Sequence, residues 1–458
     1  MPREQDHHAA EAAFARLPLR TRLAVGKALR KAVPRKQHAA WKPFRGRNPI
    51  ALIRASNRPR VARLVPIRYQ RMLESAFAYL RGSAAVMAAD LARTPTTGVA
   101  VQAGGDCHLL NFGTYATPER NLVFDVNDFD ETLHAPWEWD VKRLAASIVL
   151  AARHNGMRHS DEERAVRAAV RSYRERMRAY ADLPSLDVWY SRIDATALER
   201  AAAAAGARKK ALRGVRQAKK RTVGLAVPKL TELVGNRRRI VDHPPLIYHS
   251  PQLHSEAFLR GLFTLYADSL RSDVRVLFDR YELVDVAAKV VGVGSVGTRC
   301  GVALMMAGPD DWLLLQVKEA LVSALAPYVR PHRYSNEGER VVTGQRLMQA
   351  ASDIFLGWFR GLGGRDYYVR QLRDMKGSIE VDGMSAELLC GYASLCGWAL
   401  ARAHARSGRP AVIAGYLGRA DAFDIAIARF AQSYADQTER DYRAFATAVK
   451  AGRLRSRR

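Results

Sequence analysis

Two stretches of this 458-residue chain carry residues whose types and spacing suit phosphoryl chemistry. The first joins residues 104–113, GGDCHLLNFG, to residues 122–131, LVFDVNDFDE. It holds a D-x-H-x-x-N pattern, Asp106, His108 and Asn111, and then Asp125, Asn127, Asp128 and Asp130 at the end of a second apolar run. Acids crowded at neighbouring strand ends repel one another unless a metal or protons neutralise them. In phosphoryl transfer an Asp accepts the proton of the attacking hydroxyl, while an Asn a few residues on and a further Asp hold magnesium. Asp106 is then the candidate base, and Asn111 and Asp128 are the oxygen ligands of a hard cation. An Asp-rich turn that only caps and closes a hairpin is the competing reading.

The second stretch is residues 284–320, VDVAAKVVGVGSVGTRCGVALMMAGPDDWLLLQVKEA. Gly292, Gly294 and Gly297 have G-x-G-x-x-G spacing, with Ser295 inside the loop. That match alone is weak, and dinucleotide-binding proteins share it, but they need a helix directly after the glycines. Here a strand-like run follows, then a Gly-Pro-Asp-Asp turn and a second strand that ends in Lys318. A glycine turn between strands followed by a strand-borne Lys is the kinase arrangement, in which the loop covers the nucleotide and the Lys grips its phosphates. The apolar run Leu313-Leu314-Leu315 predicts that Lys318 lies in a buried sheet. A helix expected from Glu337 and Glu339 through Phe359 is the source of its acidic partner.

The elements that must position these residues follow from periodicity. A short strand, residues 98–102, leads into the first turn. Before it, Met72, Phe77, Tyr79, Leu80, Met87 and Leu91 recur at helical spacing and predict one buried amphipathic helix, on which Arg81 either faces the first turn and touches a phosphate or, the favoured reading, makes a surface salt bridge. After Pro136 a helix opens with Trp137-Glu138-Trp139-Asp140, where Asp140 caps or braces the catalytic turn. Further helices are expected over residues 160–180, 198–220, 255–280, 385–406 and 420–449. A strand is expected over 366–372, with a turn at 373–377 linking two lobes. Residues 1–47 are basic and read as a solvated surface arm.

The excess of 73 Lys and Arg over 45 Asp and Glu, a formal charge of +28, implies attraction to phosphates without choosing their carrier. The cluster from Arg208 to Arg221 is the candidate for nucleic acid, but it lacks the interleaved aromatics on which bases stack. Cys107, Cys300, Cys390 and Cys396 show no metal-ligand or disulfide spacing, which suits a reducing cytoplasm. No apolar run reaches the ~18 residues of a membrane span. The length calls for more than one core.

Over most of its length, from about Arg60, the chain resembles a bacterial family known as domain of unknown function 2252. The resemblance rests on FAYLRG at 77–82, GDCHLLNFG at 105–113, NDFDE at 127–131, PWEWD at 136–140, SVGTR at 295–299, QVKEA at 316–320 and YVRQLRDMK at 368–376. More distantly, residues 105–111 with Asp128 and Asp140 are similar to the catalytic segment of the aminoglycoside and choline phosphotransferase branch of the kinase-like fold.

That second likeness implies Asp106 as base, Asn111 and Asp128 as Mg2+ ligands, Lys318 as the phosphate lysine, and ATP held by Gly292, Gly294, Ser295 and Gly297. It leaves His108, Asp130 and Asp140 as structural support. It also implies an α+β, two-lobed fold with a small antiparallel nucleotide lobe and a larger helical lobe. The glycine loop and Lys follow the catalytic turn instead of preceding it, so the motif order is circularly permuted. The usual His or Arg before the catalytic Asp is replaced by Gly104-Gly105.

The expected layout is a basic extension at 1–48, the catalytic-turn part of the helical lobe at 49–180 and a basic helical connecting or substrate segment at 181–280. The nucleotide lobe follows at 281–376 and C-terminal helices with a basic tail at 377–458. The expected activity is transfer of a phosphoryl group from ATP to a hydroxyl of a small molecule or protein. The alternatives are a silent nucleotide-binding scaffold and a nucleic-acid-binding protein.

Overall fold

Residues 19–91 form five short helices where the sequence predicts an arm and one long helix: α1 (Leu19–Ala28), α2 (Pro49–Asn57), α3 (Val65–Met72), α4 (Ala76–Gly82) and α5 (Ala84–Leu91). The breaks have local causes. Asn48 caps α2 by accepting from the Ala51 N–H, with Pro49 at the first turn, and Ser75 caps α4 by accepting from the Ala78 N–H. Gly82 packs so closely on α3 that a Cβ there would lie 2.5 Å from Met72 Cγ. This computed structural model describes residues 13–204, 206, 223–235, 237–249, 256–290, 292–372 and 377–454. The basic cluster from Arg208 to Arg221 and the linking turn at 373–376 lie outside the described residues.

The basic arm is not a solvated one over residues 13–48. Arg30 and Arg35 donate to the carbonyls of Tyr416 (2.8 Å) and Leu417 (2.6 Å), and buried His38 bonds the Tyr416 hydroxyl at 2.7 Å. Arg47 bridges two buried carboxylates, Asp90 at 2.7 Å and Asp441 at 2.6 Å. Arg30, Arg35 and Arg47 are thus spent on helix C-terminal carbonyls and interior acids, while Arg16, Arg20 and Arg45 remain exposed.

The chain then enters β1 (Ala100–Ala103), β2 (Phe112–Ala116), β3 (Leu122–Val126) and β4 (Leu133–Pro136), with β1 antiparallel to β4 and β2 to β3. Pro136 opens α6 (Trp137–His154), which is buried continuously from Trp137 to Ala152. Around it pack α7 (His159–Asp182) and, from the C-terminal end, residues Ala386–Ser407, Pro410–Leu417 and Ala422–Lys450. Their apolar faces and those of α4 and α5 share one core.

A six-stranded antiparallel sheet forms the other half of the molecule. Its strands are β8 (Ile247–Tyr248), β9 (Glu282–Lys289), β10 (Cys300–Gly308), β11 (Asp311–Glu319), β12 (Gly357–Arg360) and β13 (Asp366–Gln371), numbered after β5 (Ile193–Asp194), β6 (Thr231–Val234) and β7 (Arg237–Ile240). The spatial order is β12-β13-β11-β10-β9-β8. Lys318 pairs in register with Cys300 on one side and Tyr368 on the other, which fixes it in the middle of the sheet. The helix expected from 337 to 359 stops at Met348 (Glu337–Met348), and residues 357–360 turn into strand β12 instead. Apolar Phe355 and Leu356 sustained the helical pattern, but they pack into two different cores. The chain is thus an α+β structure of antiparallel sheets and packed helices.

Candidate active site

The turn that carries Asp106, His108 and Asn111 leaves β1 through Gly104 and Gly105. Gly105 has φ +77°, and a Cβ there would lie 2.5 Å from the Glu131 carbonyl oxygen, so only glycine fits. Asp140, in the first turn of α6, accepts the N–H groups of Gly104 (2.7 Å) and Gly105 (2.9 Å). His404 holds Asp140 Oδ2 at 3.1 Å and is itself held by the Tyr173 hydroxyl at 2.9 Å. Asp140 therefore braces the turn, and three helices share the bracing.

Asp106 projects from this turn with its side chain 17% exposed. Arg143, one helical turn beyond Asp140, donates its Nε to Asp106 Oδ1 at 2.6 Å, and a second guanidinium nitrogen reaches the same oxygen. Burial pushes the Asp106 carboxyl up to about 7, with Arg143 acting against the shift. A carboxyl titrating near neutrality suits a general base. Buried His108 stands 3.9 Å from Asp106 Oδ2. Burial, with Arg81 and Arg143 nearby, drives its pKa well down, so it is neutral. Arg143 supplies the cation that the two glycines before Asp106 lack. Its spacing from Asp140, i and i+3 on one helix face, was the sequence signal for it.

Asn111 donates to the Asp106 carbonyl at 2.7 Å and accepts from the Asn127 N–H at 2.8 Å, which ties the turn to the second acidic run. Asp128 is the most open of the acids there, its side chain 35% exposed, with Lys318 Nζ 4.0 Å from its Oδ1. Asp130 is the direct partner of Lys318. It also accepts from the Tyr368 hydroxyl at 2.8 Å and the Ser295 hydroxyl at 3.0 Å. Burial opposes its ionisation, yet Lys318 and Tyr368 outweigh burial and hold Asp130 well below the usual carboxylate range. The expected Glu partner is a correction: Glu337 pairs with Arg340 and His332, and the acid beside Lys318 comes from the catalytic segment itself.

The glycine loop between β9 and β10 leans over this carboxylate group. Gly292 and Gly297 have φ +63° and +89°, and a Cβ at Gly294 would lie 3.9 Å from Asp106 Oδ2. Strand β10 follows the loop, which removes the dinucleotide reading. The loop is held by the Val61 N–H to Gly297 O at 2.8 Å, by Arg60 to Val296 O at 2.6 Å and by Arg71 to Gly292 O.

One cavity of about 600 Å3 is lined by Asp106, Asn111, Asp128, Asp130, Gly294 and Ser295 together. Arg81 lines it too, and no surface salt bridge of Arg81 is present among the described residues. A second groove, of about 1290 Å3, lies at α7 and residues 386–407 and contains none of the expected site residues. Among the described residues no group of three His, Cys, Asp or Glu is arranged to hold a metal unaided. No helix among the described residues is long and apolar enough to cross a membrane.

A family model described as an uncharacterized protein conserved in bacteria, domain of unknown function 2252, matches residues 60–448. No curated protein and no solved structure matches the chain.

Proposed function

The chain thus belongs to that uncharacterized bacterial family, and for it we propose a phosphotransferase that moves a phosphoryl group from ATP to an acceptor hydroxyl. One observation carries the reading: Asp106, Asp128, the Asp130 partner of Lys318 and the glycine loop, drawn from distant parts of the sequence, border a single cavity. Asp106 has one carboxylate oxygen fixed by Arg143 and the other directed toward His108 and Gly294, so the acceptor proton goes to Oδ2. Lys318 and the glycine loop, joined through Asp130 and Ser295, hold the nucleotide phosphates.

The donor set fits magnesium. Asn111 and Asp128 offer oxygen and Asp128 is open to the cavity, a donor set for an ion that also keeps water and substrate oxygens. Bound there, it would neutralise charge on the phosphates. Ser407, at the end of the helix that carries His404, accepts the Gln102 N–H at 3.1 Å. A C-terminal helix thus runs beside the strand that leads into Asp106, and this proximity supports the reading of a permuted motif order.

Calorimetry with Mg-ATP tests the proposal. Binding by the wild-type chain and its loss in Lys318→Met, with the variant's melting curve showing it folded, is the expected result. No heat with the wild type overturns it. A silent nucleotide-binding scaffold is favoured by Asp130 standing beside Lys318 where a Glu was expected, and it predicts binding with no ADP release.

A further inference from the structure

Three guanidinium groups on the wall of the cavity formed by residues 56–85 take no part in the chemistry above. They belong to Arg60, Arg68 and Arg81. Arg60 donates to the carbonyls of Ser56 (3.0 Å) and Val296 (2.6 Å). Arg68, fully buried, donates to the Gly82 carbonyl (2.6 Å), the Ser56 hydroxyl (3.1 Å) and the Asn57 side-chain oxygen. Arg81 makes no hydrogen bond to any described residue and rests beside the Phe77 ring, 6.0 Å from its centroid. The Nε atoms of Arg68 and Arg81 are buried without an acceptor.

None of the three forms an ion pair with a carboxylate among the described residues, in contrast to Arg143, Arg299 and Arg340 around the same cavity, which all do. Acids reach them only at longer range, Glu131, Asp130 and Glu319 toward Arg60 and Asp106 toward Arg81. Burial lowers the pKa of each, the mark of cations held without close compensation. The Arg81 carbonyl lies 3.2 Å and Asp106 Oδ2 3.9 Å from where a Gly294 Cβ would sit, so residue 81 stands close to both the glycine loop and Asp106.

Half-buried and buried cations that face a cavity with no carboxylate partner among the described residues call for an anion, and a guanidinium fork matches phosphate oxygens. We infer that Arg60, Arg68 and Arg81 form a phosphate-binding wall in this cavity, with Arg81 making the contact to the anion. The inference deepens the phosphotransferase reading and rests on it for what brings the phosphate, the nucleotide or a phosphorylated acceptor.

Titration calorimetry of the full chain with inorganic phosphate tests it, in wild type, Arg81→Gln and Arg81→Lys. Phosphate binds the wild type, Arg81→Gln weakens it at least tenfold, and Arg81→Lys recovers part of the loss by charge without the fork. Repeating the titration with saturating Mg2+ and a non-hydrolysable ATP analogue separates the sources. Retained phosphate binding assigns the wall to an acceptor phosphate, and displacement assigns it to the nucleotide. No phosphate binding by the wild type, or equal binding by Arg81→Gln, overturns the inference even if Mg-ATP binds. Arg81-dependent phosphate binding without Mg-ATP binding sinks the phosphotransferase reading alone.

Discussion

The Lys318 ammonium and the Asp130 carboxylate, 188 residues apart in sequence, form an ion pair in which Asp130 lines the cavity and Lys318 is only 3% exposed. Asp130→Asn leaves that ammonium with Asp128 as its remaining acid, 4.0 Å away. Removing one partner of a buried pair costs about 3 kcal/mol. Chemical denaturation should show a loss of that order, and a loss under about 1 kcal/mol would mean that the pair is solvated.

Asp106→Asn should leave Mg-ATP affinity unchanged and lower ADP release by at least about 100-fold, the contribution of a positioned base. Equal loss of binding and turnover would instead make Asp106 a structural residue.

The raised Asp106 pKa also sets a pH dependence. The folded group holds its proton up to about 7, whereas the unfolded one loses it near about 3.9. Its stabilising contribution is therefore fully present below the unfolded value and is lost as pH rises through about 7. Turnover should climb over that same interval as the base ionises. Denaturation and rate profiles between about pH 4 and 8 should run in opposite directions, and Asp106→Asn should flatten both.

Gly105→Ala places a side chain at φ +77° against the Glu131 carbonyl. A destabilisation of about 2 kcal/mol is expected from the backbone conformation and the clash. Thermal melting checks it, with Gly46→Ala, also at positive φ but with nothing within 4 Å of its Cβ, as the comparison that isolates the clash.

Arg47→Ala should destabilise by about 3 kcal/mol or more, because it strands Asp90 and Asp441 inside the fold. Deleting residues 1–48 should lower the melting temperature well beyond what loss of a solvated arm would do.

The strands around the glycine turn and Lys318, the strand Asp366–Gln371, the buried position of Lys318 and the helix opened by Trp137 were legible from residue pattern, whereas β8 and β12 were not. Each legible feature is dictated locally, by alternation, by glycine or by a proline start. The first five helices were not, because short caps at Asn48 and Ser75 and the pressure of Gly82 on Met72 interrupt a continuous apolar periodicity. Nor was the end of the helix at Met348, since the apolar residues after it serve two cores instead of one helix face.

By itself, the sequence determined which residue types were present for phosphoryl chemistry, Asp106, Asn111, Asp128 and Lys318, and on which elements they ride. Only the tertiary structure decided their partners, Arg143 for Asp106 and Asp130 in place of a Glu for Lys318, and set beside them three arginines with no carboxylate partner among the described residues. Elements are set by neighbours a few bonds away, whereas charge pairing depends on which distant side chains share a low-dielectric space, and no spacing along the chain specifies that.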